Sequence, residues 1–120
     1  MILDSSKEMA RIAIDALEDK KAENIKIIQI GEISSVADYF IITNGTNKSQ
    51  VQALADNVNE KLGREGIYAK QVEGYNSANW ILMDYSDFVV HVFDTESRPF
   101  YDLERIWRDG TVVETSSFEG

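Results

Sequence analysis

Two apolar runs late in the chain, Trp80–Asp84 and Asp87–Asp94, are separated only by Tyr85-Ser86. Strands joined by two residues must lie side by side and antiparallel, because a parallel neighbour requires a crossover of a dozen residues or more. A hairpin is therefore required here, and the remaining elements have to be arranged around it. Upstream, Met9, Ile12, Ala13, Ala16 and Leu17 recur at helical spacing, and Ser5 with Glu8 forms a capping box opening that helix, which runs to about Lys21. Val51, Leu54, Ala55, Val58 and Leu62 repeat the pattern over residues 48–63, with Asn47 and Gln50 at the start and Gly63 and Gly66 at the end.

Between these helices, Ile25–Ile30 and Tyr39–Thr43 read as strands, the second rich in aromatic and β-branched residues and ending at the turn pair Asn44-Gly45. Ile67–Val72 reads as a third strand ahead of the hairpin. Ser97 caps a short last helix, with Pro99 in its first turn and Leu103, Ile106 and Trp107 on one side, and Asp109-Gly110 stops it. Helices and strands mix without strict alternation. The pattern predicts an α+β domain, a mixed sheet of about five strands with helices packed on it. A single domain over 1–110 is expected, with 111–120 a polar, flexible C-terminal tail.

The chain contains no cysteine, which removes disulfides, thiolate metal sites and cysteine nucleophiles together. No apolar run approaches the ~20 residues needed to cross a membrane. The start, Met-Ile-Leu-Asp-Ser-Ser-Lys-Glu, lacks the basic-then-apolar order of a leader. A soluble, cytoplasmic protein without membrane contact is expected.

Charge is distributed unevenly. Residues 1–72 carry 11 acidic and 9 basic side chains, whereas residues 73–120 carry 10 acidic and only 3 basic ones. Phosphate backbones are bound largely by Lys and Arg displacing counterions, so little direct nucleic-acid binding is expected. A basic protein suits the acidic C-terminal part better. Unpaired sheet edges and apolar patches also leave a homodimer among the expected partners.

Few residues point to catalysis. The sole histidine, His91, alternates with Val89 and Phe93 on one strand face and reads as a hydrogen-bonded sheet residue rather than a base or ligand. Without a second histidine or any cysteine, a zinc site would need mostly carboxylates. Asp84 and Asp87 flank the hairpin turn, where turn formation explains them better than a two-metal site. Asn44-Gly45-Thr46-Asn47-Lys48-Ser49 precedes a helix but lacks the longer glycine-spaced loop of a Walker motif. No cofactor, metal or catalytic residue is assigned. The run Phe100-Tyr101-Asp102-Leu103-Glu104-Arg105-Ile106-Trp107 holds more large apolar residues than one helix stripe can bury. Part of it must dock on the sheet, and the rest either covers the hairpin or stays exposed, where an interface is one of two readings.

Three motifs in order carry a family resemblance. Ala37-Asp38-Tyr39-Phe40-Ile41-Ile42 with Gly45-Thr46 resembles the first signature of the ribosomal silencing factor family, also called Iojap or RsfS. Trp80-Ile-Leu-Met-Asp84, followed by Asp87-Phe-Val-Val-His-Val-Phe93 and Arg98-Pro-Phe-Tyr-Asp-Leu-Glu-Arg-Ile-Trp107, resembles the second. Ser86 stands where that family commonly has glycine.

The resemblance implies a nucleotidyltransferase-like fold without the catalytic motif. It also implies binding to the fourteenth protein of the large ribosomal subunit, so that the small subunit is sterically kept from joining and translation is repressed when nutrients are short. It further implies partner contact through Trp80, Leu82, Asp84, Tyr101, Glu104 and Arg105, with His91 and Trp107 in support. An assembly factor for the large subunit is the alternative. A nucleotidyltransferase-like enzyme using Asp84 and Asp87, with a nucleotide at Gly45-Thr46, is a more distant one.

Overall fold

The computed structural model describes residues 6–31, 35 and 37–113. Its elements are α1 (Ser6–Asp19), β1 (Glu23–Gln29), β2 (Tyr39–Gly45), α2 (Lys48–Arg64), β3 (Gln71–Glu73), β4 (Trp80–Asp84), β5 (Phe88–Asp94), α3 (Ser97–Tyr101), α4 (Leu103–Ile106) and β6 (Thr111–Val113). The strands form one mixed sheet in the order β3-β4-β5-β2-β1-β6. Only the central β2–β5 pair is parallel, Tyr39 opposite Phe88 through Gly45 opposite Asp94. The expected hairpin is present as the antiparallel pair β4–β5, with Trp80 opposite Phe93 and Leu82 opposite His91.

Central position explains the composition of β2 and β5. Every residue from Phe40 to Gly45 and from Phe88 to Phe93 is buried, as expected of strands covered on both faces, which read as continuous apolar runs. On one face α1 and α2 pack through Ala10, Ala13 and Leu17, and through Val51, Leu54, Val58 and Leu62, onto Ile27, Ile41, Ile81, Met83, Phe88, Val90 and Val92. Asn57, buried beside that stripe, donates to the Ala16 carbonyl at 2.8 Å and so ties α2 to the end of α1. The opposite face carries a smaller cluster, Ile28, Ile30, Ala37, Phe40, Ile42, Val89, Phe93 and Leu103, with Trp80, Leu82 and Trp107 half-buried at its margin.

Asn47 caps α2 as its spacing to Gln50 implies, and the Gln50 side chain turns back one residue farther, to Thr46. Asn47 Oδ1 accepts from the Gln50 amide at 2.8 Å, and Gln50 Oε1 accepts from the Thr46 amide at 2.6 Å. For α1, Ser5 of the expected capping box lies outside the described residues.

Four expectations are revised. The sheet has six strands rather than about five, because Thr111–Val113 pair with Gln29, Ile28 and Ile27 at the edge of the sheet. The reading of 111–120 as a loose tail is thus corrected for its first three residues, and residues 114–120 lie outside the described part. The third strand is shorter and later than Ile67–Val72, covering Gln71–Glu73. The last helix is two pieces, because Asp102 adopts a left-handed conformation at φ 50° between α3 and α4.

Candidate binding face

The face opposite α1 and α2 carries every residue that the family resemblance singles out. Alternation along β4 places Trp80, Leu82 and Asp84 on this side, each half-buried, while Ile81 and Met83 point into the helical core. Their neighbours across β3 are Glu73, opposite Leu82, and Gln71, opposite Asp84. Gly74 shapes the approach to Trp80. It sits at φ 81°, and a Cβ there would overlap the Trp80 carbonyl, so the loop can close onto this strand only with glycine.

An aromatic stack stands on this strand. Trp80 packs on Phe93 at 5.1 Å and on Tyr101 from α3 at 4.7 Å. Phe100 meets Tyr101 edge-on and is itself 79% exposed. Farther along the face, Trp107 meets Phe40 edge-to-face at 5.0 Å, and Leu103 is the one buried residue of the two short helices. Beneath Trp80 lies His91, whose Nδ1 accepts the indole N–H at 3.0 Å. Burial pushes the His91 pKa down to about 3, so its imidazole is neutral at physiological pH.

The charged residues divide into two groups. Glu104 turns inward, accepting from Arg98 Nε at 2.9 Å and from Lys26 Nζ at 3.5 Å. Burial opposes its ionisation, but the hydrogen bond and charge of Arg98, with Lys26 behind them, outweigh it and hold the carboxyl below its ordinary value. Arg98 also donates through Nη1 to the Asn24 carbonyl at 2.7 Å and to Asn44 Oδ1 at 2.9 Å. That carbonyl is available because Asn24, at φ 47°, forms a bulge where the β1–β2 register slips. Asn44 in turn donates to Glu23 Oε1 at 2.7 Å. Arg98 therefore fastens α3 and α4 to β1 and β2.

Asp84 Oδ1 accepts from the Ser86 amide at 2.8 Å and so shapes the hairpin turn. Arg105 is exposed and donates to Asp102 at 3.2 Å. The structure thus gathers Trp80, Leu82 and Tyr101 into one open surface. It sets Asp84 at the turn, Arg105 on the outer helix, Glu104 in the internal network, and His91 and Trp107 beneath and beside the stack. Sequence reasoning gave no role to Arg98 or Phe100. Arg98 had two signals, opening the last stretch of the second motif and being among only three basic residues after position 72.

The enzymatic alternative does not gain a common site. Asp84 and Asp87 lie at the β5 end marked by Phe88, whereas Gly45 pairs with Asp94 at the other end. A seven-residue strand separates them, about 20 Å at the usual rise. The Gly45-Thr46 loop is also closed by Gln50, which accepts from both the amide and the hydroxyl of Thr46.

Fold and face together define a small α+β domain with Trp80, Leu82 and Tyr101 on one open side of its mixed sheet. Residues 3–119 match the family model described as Ribosomal silencing factor during starvation. The ribosomal silencing factor RsfS of Halalkalibacterium halodurans is 41% identical over 110 residues, covering 92% of this chain and 94% of the relative. That of Bacillus subtilis is 40% identical over 110 residues, covering 92% and 93%. A crystal structure of a protein from Chromobacterium violaceum superposes with a TM-score of 0.84 at 36% identity, covering 86% of each chain. The chain belongs to the ribosomal silencing factor family.

Proposed function

We propose that this protein represses translation by seating its aromatic face on a basic protein of the large ribosomal subunit, the fourteenth, and obstructing the docking of the small subunit. The observation that carries this reading is the accessible pair Trp80 and Tyr101, stacked over buried Phe93 beside half-buried Leu82, with Glu73 and Asp84 at its rim. Aromatic residues in a water-excluding centre supply most of the energy in protein interfaces, and rim charges set encounter rate and orientation. A surface with that arrangement takes a basic partner.

In this reading Trp80, Leu82 and Tyr101 are the apolar contacts, and Asp84 and Arg105 are charged contacts at the margin. Glu104 contributes by way of the helix it holds in place, and His91 and Trp107 support the face from below. Obstruction needs affinity and placement and no chemical step, so the protein acts as a binding factor in the cytoplasm, where ribosomes work.

The reading predicts co-sedimentation with large subunits on sucrose gradients and fewer joined ribosomes as protein is added. Trp80→Ala and Tyr101→Ala should each weaken binding by about 2 kcal/mol, roughly thirtyfold. Binding should also weaken as salt rises. Unchanged binding by both variants would refute the assignment of the face.

A further inference from the structure

The indole N–H of Trp80 is directed into the sheet, 3.0 Å from His91 Nδ1. An indole nitrogen can only donate, so Nδ1 is the bare acceptor and the neutral ring carries its proton on Nε2. That Nε2 is buried and has no hydrogen-bond partner among the described residues. A buried donor without an acceptor is a standing cost. Packing alone does not call for this side chain. Phe40 stands edge-on at 4.7 Å, Phe93 stacks at 6.5 Å, and Leu82 lies directly opposite. A phenylalanine ring would suit these neighbours and carry no unpaired ring nitrogen, but it would offer the Trp80 indole no acceptor. What histidine adds is an acceptor for Trp80.

We infer that His91 is a positioning residue for the docking face: it latches the Trp80 indole, and through the Trp80–Tyr101 contact it sets the orientation in which both rings meet a partner. The inference rests on the docking function proposed above. Without the acceptor, the indole N–H has to turn toward water, and the contact with Tyr101 at 4.7 Å loses its base. Binding must then order both side chains, which the latch otherwise does in advance.

His91→Phe and Trp80→Phe, singly and together, test the latch through two readouts, the Trp80 indole N–H in two-dimensional NMR and affinity for purified large subunits. In His91→Phe the indole proton should exchange with water about tenfold faster or more, and affinity should fall about tenfold while the fold is kept. His91→Asn, whose Oδ1 comes close to the position of Nδ1, should recover part of both losses. In the Trp80→Phe background, adding His91→Phe should cost nothing further, because no indole N–H remains to be held. Wild-type affinity in His91→Phe, or an undiminished His91→Phe loss in the Trp80→Phe background, would overturn the positioning role. If the unaltered protein does not bind large subunits, the docking function falls and the positioning role with it; slow indole exchange would then mark the hydrogen bond as structural only.

Discussion

Ser86 turns the β4–β5 hairpin with φ at 72°, a left-handed conformation that costs a non-glycine residue about 1–2 kcal/mol. Asp84 steadies the turn by accepting the Ser86 amide, but it does not remove the clash of the Cβ. Ser86→Gly should therefore raise stability by about 0.5–1 kcal/mol, the relief of strain exceeding the added freedom of the unfolded chain. Thermal unfolding checks this, and a Tm equal to or below that of the unaltered protein would contradict it. Serine itself gives no sign of the strain; Tyr85-Ser86 reads only as a tight two-residue turn. Other residues are equally silent. Asn57 lies beside an apolar helical stripe and looks like a solvated side chain until α1 is packed against it. Ala78 is fully buried at φ 56°, a backbone state that alanine does not announce.

At the level of elements, α3 and α4 are five and four residues long, far below the ~12 residues at which a helix begins to hold itself. Leu103, Trp107 and the Arg98 network keep them in place. Arg98→Met retains the stem and deletes the donors, leaving Asn44 Oδ1 and one Glu104 oxygen without their partner. The cost should be about 1–3 kcal/mol, below that of a fully buried pair because Glu104 keeps Lys26 and some contact with water. Amide exchange should accelerate over residues 97–107 and stay slow in β2 and β5. A uniform loss of protection would show that Arg98 serves the whole fold instead.

The long helices and the hairpin were legible because each carries its own periodicity or turn. The break at Asp102 was not, since apolar residues continue across it from Phe100 to Trp107. Nor was β6, three residues whose strand character comes from pairing with β1. Trp80, Leu82 and Asp84 could be placed on a common face from alternation alone, but the inward turn of Glu104 depends on Arg98 and Lys26, distant in sequence and adjacent only after folding.

For the molecule as a whole, acid sensitivity has two sources with separate windows. The His91 pKa falls from 6.5 to about 3 on folding, so between those values the unfolded chain binds a proton that the native chain does not. Stability contributed by neutral His91 is thus intact above pH 6.5 and drains as pH falls, with a slope of about 1.4 kcal/mol per pH unit. Glu104 adds to the loss at lower pH. Its lowered carboxyl pKa contributes stability above its unfolded value of 4.5, lost as pH falls through the folded value. Urea midpoints measured from pH 7 to 3 should decline from near pH 6.5, and His91→Phe should delay that decline to the carboxylate range. A decline of equal onset in both proteins would show that His91 is already protonated in the native state. Sheet order is the property of the whole molecule that local patterns did not reveal, because nothing within β2 or β5 identifies the other as its neighbour.

The parallel junction of β2 with β5 has a consequence for timing. It joins Tyr39 to Phe88, 49 positions apart, so a long loop must close before the centre of the sheet exists. Both halves of the aromatic stack lie beyond that loop or at its end, Trp80 on the strand that pairs with β5 and Tyr101 on the helix that follows it. No N-terminal fragment can therefore display the face. As the chain is synthesised, the proposed docking face is complete only after Tyr101 has emerged, so on that proposal an unfinished copy cannot use it to hold the ribosome that is making it.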